Sequence, residues 1–271
     1  MERLSLHQLA TNGAPPERLV ELAARLECPA VTPFVNASAR SNSPHVATLA
    51  QARDLRRLAD GLGVDVYSLE VFVLEADTDP AAFRPALERG ATLGGRRTTV
   101  CVGDPDLGRA RDRFDAFCAM AADFGIAVHV EFHAFGTLRT LAATQDFLCR
   151  APTAATISVD VLHLYRNEGG IGSLRGPLRV PIGHAQICDG PLVRPRDEWL
   201  HEAVADRLVP GEGAFNLVAF LRALPPAVRI DVEVPTRPDP AGELSGEARC
   251  AAALQASRRL LARARAAAEP R

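Results

Sequence analysis

The sequence has 271 residues, which is long enough for one large hydrophobic core, and barrels of alternating strands and helices often reach this size as a single domain. Its formal net charge of −2 offers no basic field for a nucleic-acid backbone or an anionic membrane surface, so neither is expected as a partner. The chain contains no lysine. Chemistry that needs a lysine amine, as in pyridoxal enzymes, lysine-dependent aldolases and P-loop nucleotidases, is therefore excluded.

The sequence also indicates a cellular compartment. It has no apolar run of 18 or more residues, and its first residues lack the basic-then-apolar order of a signal peptide. The six cysteines lie far apart, without a C-x-x-C pair, which is typical of buried thiols rather than of a disulfide framework. We therefore expect a soluble cytoplasmic protein.

Short β-rich segments alternate with longer segments of helical period, and the alternation can be counted eight times. The predicted strands lie near 3–8, 29–35, 64–73, 97–102, 126–131, 156–161, 181–187 and 228–234. The predicted helices are one that follows Pro15-Pro16 and others near 45–62, 80–93, 108–125, 137–150, 171–178, 212–224 and 243–267. This pattern predicts an α/β fold, a (β/α)₈ TIM barrel that fills residues 1–271 as one domain, with an open Rossmann-type sheet as the competing arrangement.

Four consecutive predicted strands, the fifth to the eighth, end on an oxygen-bearing side chain. These residues are Glu131, Asp160, Gln186 and Glu233. In a barrel the carboxyl ends of the strands form one mouth, where clustered carboxylates would repel one another unless a cation lies between them. A helix cap or a salt bridge explains a single acid well, but four in succession favour a divalent metal. His184 is expected on the opposite face of its strand from Gln186.

Several motifs resemble one family over essentially the whole chain, the xylose isomerase-like barrel superfamily of sugar phosphate isomerases and epimerases. The motifs are Asp160-Val161-Leu162-His163 with Arg166, His184-Ala185-Gln186-Ile187-Cys188-Asp189, Arg207-Leu208-Val209-Pro210-Gly211-Glu212-Gly213 and Val232-Glu233-Val234-Pro235. The resemblance implies that the same four residues hold one metal. Gln186 stands where many relatives have histidine, a feature shared with hydroxypyruvate isomerase-like and some 3-dehydroshikimate dehydratase-like members. The resulting all-oxygen set favours Mg²⁺ or Mn²⁺ over zinc, and Co²⁺ is an expected substitute in vitro.

Further candidates for contact with the substrate surround these ligands. By the resemblance, His163 touches the substrate and polarises a carbonyl, although support of the metal ligands explains it equally well. His133, in an E-x-H motif with Glu131, is a candidate acid or base. The candidates for binding substrate hydroxyl, carboxylate or phosphate groups are Glu70, Arg166, Arg194 and Arg207. The turn at 210–213 could present amide groups to an anion, or be purely structural.

The leading functional hypothesis is a metal-dependent isomerase or epimerase acting on a polyhydroxy ketone or hydroxy-keto acid. One of Glu131 and Glu233 would remove the proton beside the carbonyl, and the other, or His163, would return one. The alternative is a lyase similar to 3-dehydroshikimate dehydratase, in which the same first step leads to loss of water and gives protocatechuate.

Two further classes are weaker. A nuclease resembling endonuclease IV would gather several metals with more histidines than the seven present. An inactive barrel that binds a sugar-like effector does not explain a complete ligand set. Barrels of this kind often form homo-oligomers, but no residue in the sequence shows it.

Overall fold

The computed structural model describes residues 3–38, 41, 43–151, 154–236 and 246–266. In this part of the chain nine parallel strands form one sheet, in the order β3-β2-β1-β9-β8-β7-β6-β5-β4. The strands are β1 (Leu4–His7), β2 (Ala30–Thr32), β3 (Asp65–Val66), β4 (Leu69–Leu74), β5 (Arg97–Val102), β6 (Ala127–Glu131), β7 (Thr156–Asp160), β8 (Ile182–Ile187) and β9 (Ile230–Val232). Each of the eight predicted strands overlaps an observed one.

The sheet closes into a barrel because its two edge strands, β3 and β4, belong to one continuous segment of the chain. β3 and β4 are two parts of the third predicted strand, separated at 67–68. Beyond β2, the backbone of Glu70 accepts from the amide of Val35 at 2.7 Å and donates to the carbonyl of Pro33 at 3.1 Å. When β3 and β4 are counted as one strand, the barrel has eight strands. The predicted (β/α)₈ barrel is therefore confirmed and the open sheet is excluded.

Helices alternate with the strands and cover the outside of the barrel. They are α1 (Pro16–Arg25), α2 (Leu49–Leu62), α3 (Arg84–Leu93), α4 (Leu107–Asp123), α5 (Leu141–Leu148), α6 (Val161–Glu168), α7 (Trp199–Ala205), α8 (Leu217–Ala223) and α9 (Gly246–Ala266). Among the described residues, none of these helices has both the length and the hydropathy needed to cross a bilayer.

Helix α6 is not where the sequence placed the sixth helix, so the prediction near 171–178 is wrong. α6 starts directly after β7 because the side chain of Asp160 caps it, accepting from the amide of Leu162 at 2.8 Å. It ends at Gly169, whose φ of +70° suits a residue without a side chain. The predicted segment holds only a short 3₁₀ helix, Ile171–Arg175.

Two other helix predictions need correction. α7 was not predicted, and the helix expected near 212–224 begins only at α8, where Asn216 caps it by accepting from the amide of Ala219 at 3.1 Å. The last predicted helix, 243–267, extends beyond the described residues at both ends, and α9 covers its described part.

A polar layer fills the barrel interior just below the mouth. His184 hydrogen-bonds the hydroxyl of Ser158 at 2.9 Å and the carboxylate of Asp231 at 3.0 Å, and all three side chains are fully buried. The prediction that His184 points away from Gln186 is wrong, because residues two apart on a strand share a face. Burial alone would raise the pKa of Asp231, but His184 outweighs it and the pKa is lowered.

Candidate active site

Four strands bring the predicted ligands to the mouth of the barrel. Glu131 and Asp160 are the last residues of β6 and β7, and Gln186, in β8, pairs in register with Asp160. Glu233 follows β9 directly. All four are buried, with exposures between 0 and 8%. They lie at one level because parallel strands end together at this face.

Three side chains lie close enough for one cation to touch them all. Glu131, Asp160 and His163 each offer a ligand atom, and these atoms are within 4.8 Å of one another. His163 stands on the first turn of α6, with its Nε2 3.8 Å from Oδ2 of Asp160, and its Nδ1 accepts from the amide of Ala134 at 3.4 Å. His163 therefore lies within reach of the same cation as Glu131 and Asp160, a position that substrate binding alone does not require.

Two buried oxygens at the mouth accept no hydrogen bond from any described residue. They are Oε1 of Gln186 and Oε2 of Glu233. Buried polar atoms in proteins are nearly always paired, so two such atoms beside Glu131 and Asp160 indicate a partner that is not among the described residues. Carboxylate and amide oxygens suit a hard divalent cation. The residues present therefore fit a metal.

Arg207 lies between two of the predicted ligands. Its Nη1 donates to Oδ2 of Asp160 at 2.7 Å and its Nη2 donates to Oε1 of Glu233 at 3.1 Å. Its Nε donates to the carbonyl of Ala203 at 2.8 Å, which fixes the guanidinium from the side of α7. Burial would lower the pKa of Arg207, but Asp160 and Glu233 raise it well above its ordinary value. Arg207 also lines the cavity above the mouth, but most of its N–H groups already donate to oxygens of the protein itself.

The two glutamates of the cluster have raised pKa values. Burial, and then the charges of Glu70 and Asp160, raise the pKa of Glu131 well above its ordinary value. Burial also raises the pKa of Glu233 to about 7, although Arg207 opposes the shift. A carboxyl group with a pKa near neutrality is suited to both take up and release a proton.

This titration gives a stability prediction for the metal-free protein. Between the ordinary pKa of 4.5 and the folded value of about 7, the folded state holds more protons at Glu233 than the unfolded state. Stability should therefore fall as the pH rises through this window, by about 3 kcal/mol from this group. Thermal unfolding in EDTA should show a steeper loss for the wild type than for Glu233→Gln. Equal pH slopes would contradict the raised pKa.

Glu70 lines the cavity, and each of its carboxylate oxygens also contacts a protein group. Its Oε2 lies 2.9 Å from Nε2 of His7, and its Oε1 accepts from Nε2 of Gln186 at 3.3 Å. His7, the last residue of β1, is fully buried and was not predicted as a site residue. Burial would lower the pKa of His7, but Glu70 and then Glu233 raise it to about 10.

A cavity of about 530 Å³, including the part open to solvent, lies above these groups. It is of the size of a pocket for a small metabolite. Phe34 and Phe135 provide apolar walls, and Ser38 and Ser41 provide hydroxyl groups. His133 also lines the cavity, with its ring 4.8 Å from that of Phe135 and 6.0 Å from that of His163.

Another residue of the cavity wall was missed. Cys101 on β5 pairs in register with Glu131, and its Sγ lies 3.4 Å from Oε2 of that glutamate. Cys101 lies near the carboxyl end of its strand, as the predicted ligands do. The rule that residues at strand ends lie at the mouth therefore applies to Cys101 and to His7 as well. A pattern of oxygen ligands does not select either residue, because neither side chain carries an oxygen.

Arg166 and Arg194 are not among the residues that line the cavity. Both hold Glu202, a fully buried residue of α7. Arg166 forms two hydrogen bonds to it, at 2.6 and 2.7 Å, and Arg194 forms one at 3.3 Å. In this structure the two arginines fix α7 beside the mouth, and the proposed role in substrate binding finds no support for them.

The turn at 210–213 already binds an anion, which is the chain's own Asp189. The amides of Gly211 and Phe215 donate to its carboxylate at 2.8 and 3.0 Å. Gly211 has φ +98°, a conformation that favours glycine, and a Cβ at Gly213 would lie 2.3 Å from the Asp189 carboxylate. The structural explanation of this turn therefore fits better than an external anion.

The fold and the acidic mouth together define a TIM barrel with its candidate active site at the carboxyl ends of the strands. A family model described as xylose isomerase-like TIM barrel matches residues 20–259. The chain belongs to this family, as the sequence motifs predicted. No curated protein matches the sequence.

Solved structures show the same fold at low identity. A xylose isomerase-like TIM barrel/4-hydroxyphenylpyruvate dioxygenase fusion protein is 18% identical with a TM-score of 0.79, covering 98% of this chain, which spans only 44% of that protein. IolI with a bound zinc atom is 17% identical, with a TM-score of 0.78 and coverage of 96% of this chain and 98% of that one. L-ribulose 3-epimerase is 16% identical, with a TM-score of 0.73 and coverage of 99% and 97%.

Proposed function

We propose that this chain is a divalent-metal-dependent isomerase or epimerase that removes the proton beside the carbonyl of a hydroxy ketone, as in a sugar or sugar phosphate. One observation carries the proposal. The buried oxygens Oε1 of Gln186 and Oε2 of Glu233 have no hydrogen-bond partner among the described residues, and they lie with Glu131 and Asp160 at the mouth of the barrel. The similarity to an epimerase fold and the membership of the family agree with it.

The proposed metal ligands are Glu131, Asp160, Gln186 and Glu233. When bound, a divalent cation polarises the substrate carbonyl and makes the neighbouring C–H bond more acidic. Mg²⁺ and Mn²⁺ fit the oxygen donors best, with Co²⁺ as a substitute. The zinc bound to IolI supports a divalent metal in this fold, and His163 would suit a softer ion.

The proton transfers fall to side chains already at the mouth. Of the two oxygens of Glu233, Oε1 accepts from Arg207 and Oε2 has no partner among the described residues. Glu131 is the second carboxyl group with a raised pKa, and His163 stands beside it. We assign proton removal to one of these glutamates and proton return to the other or to His163. Phe34 and Phe135 form apolar walls of the cavity, and we expect them to limit the access of water to the reacting atoms.

A lyase that resembles 3-dehydroshikimate dehydratase is the second candidate. Gln186 agrees with it, because this glutamine is shared with some such members, as it is with hydroxypyruvate isomerase-like members. The first proton removal would be the same, with Glu131 or Glu233 as the base. The two functions differ only in whether the intermediate is reprotonated or loses a β-hydroxyl group.

One assay separates the two candidates. Metal-stripped protein is incubated with Mg²⁺ or Mn²⁺ and 3-dehydroshikimate, and the ultraviolet absorbance of protocatechuate is followed. We expect no aromatic product, and metal-dependent turnover in a panel of ketoses, hydroxypyruvate and their phosphates. Metal-dependent protocatechuate would establish the lyase instead. Turnover that persists unchanged in EDTA would contradict both.

A further inference from the structure

A chain of hydrogen bonds with one possible direction leads to Gln186. A carboxylate can only accept, so Nε2 of His7 donates to Glu70 whether the ring is neutral or protonated. Nε2 lies 2.9 Å from Oε2 of Glu70. The other oxygen of Glu70 accepts from Nε2 of Gln186 at 3.3 Å. Glu70 is thus an acceptor on both sides.

The position of Glu70 is fixed by its backbone. Its carbonyl oxygen accepts from the amide of Val35 at 2.7 Å, and its amide donates to the carbonyl of Pro33 at 3.1 Å. Both bonds cross the junction that closes the barrel. Its side chain is buried, with the residue only 5% exposed. A carboxylate held in this place offers the Gln186 amide nothing but an acceptor.

An amide side chain has two ends of similar shape and opposite polarity. If Nε2 of Gln186 faces Glu70, then Oε1 must face the other way, and this oxygen is the buried atom without a described partner. The reverse orientation would bring two acceptors together and turn an N–H₂ group toward the carboxylates. A cation would then meet a donor instead of a ligand.

We propose that Glu70 is a positioning residue that turns the amide of Gln186 so that its oxygen is presented to the metal. This inference rests on the metal-dependent function proposed above. It is comparable to the carboxylates that orient metal-binding histidines, whose removal typically weakens metal binding by about 10- to 100-fold. It differs from the sequence prediction, in which Glu70 binds a substrate hydroxyl group.

The test is a double-mutant cycle on Mn²⁺ affinity, measured by calorimetry with no substrate present. Glu70→Gln keeps the size of the side chain but supplies one acceptor where two are needed. We expect it to weaken binding by about 10- to 100-fold in the wild-type background. In a Gln186→Ala background, where no amide remains to be oriented, the same change should have an effect of about twofold or less.

Two controls keep the outcomes distinct. Glu88→Gln makes the same chemical change on the exposed surface of α3 and should leave the affinity unchanged. Thermal unfolding of each metal-free variant shows that it is folded. An equal effect of Glu70→Gln in both backgrounds, or no effect in either, would overturn the positioning role. A wild-type protein that binds no Mn²⁺, Mg²⁺ or Co²⁺ would overturn the proposed function and this inference with it.

Discussion

Replacing Glu233 by glutamine is expected to abolish turnover and to leave the barrel folded. The amide keeps the size of the side chain and can still accept from Nη2 of Arg207 through Oε1. It replaces Oε2, which accepts from none of the described residues, by a donor that neither binds a cation nor takes up a proton. Loss of a positioned acid or base typically costs about 10²- to 10⁴-fold in rate, so kcat should fall by at least this factor.

The control is again Glu88→Gln, which should keep wild-type kcat and KM. Circular dichroism and the unfolding temperature of both variants show whether the fold is intact. A folded Glu233→Gln enzyme with kcat within a few-fold of the wild type would remove Glu233 from the chemistry. The proton transfer would then have to be assigned to Glu131 or His163 alone.

Replacing Glu202 by glutamine is expected to destabilise the protein strongly. Glu202 is fully buried and receives two hydrogen bonds from Arg166 and one from Arg194. Removing its charge leaves the buried guanidinium of Arg166 without a counterion. Breaking a buried ion pair from one side typically costs about 3–5 kcal/mol, and we expect a loss of this size in the free energy of unfolding.

The matched control is Asp146→Asn, which breaks an exposed ion pair with Arg179. Its denaturation midpoint should remain close to that of the wild type. If Glu202→Gln is as stable as Asp146→Asn, the anchoring of α7 by the arginines is wrong. Arg166 and Arg194 would then again be open to a role at the substrate.

The sequence predicted the barrel and most of the mouth because both depend on local patterns. Alternating strands and helices define the fold, and the polar residue that ends each strand comes to the same face. This rule is sufficient to place Glu131, Asp160, Gln186 and Glu233 at the mouth of the barrel. It applies equally to His7 and Cys101. The strand ends therefore predict more residues of the site than the four oxygen ligands.

Contacts between distant segments were not predictable in this way. Arg166 is 36 residues from Glu202, and nothing local distinguishes it from an arginine that faces a ligand. The error at α6 has a local cause, because the prediction prefers a metal ligand to a helix cap at Asp160, although an aspartate before an apolar run is a common helix start. In the structure Oδ1 of Asp160 caps the helix and Oδ2 accepts from Arg207.

Anomalous diffraction from a crystal soaked in MnCl₂ tests the central claim most directly, because it locates the ion without any assumption about the substrate. We predict one strong peak per chain, within about 2.0–2.6 Å of oxygens from Glu131, Asp160, Gln186 and Glu233. Movement of Arg207 away from Asp160 or Glu233 would be consistent with this result. A mouth without a peak, or an ion bound to His163 but not to Gln186 and Glu233, would contradict the account.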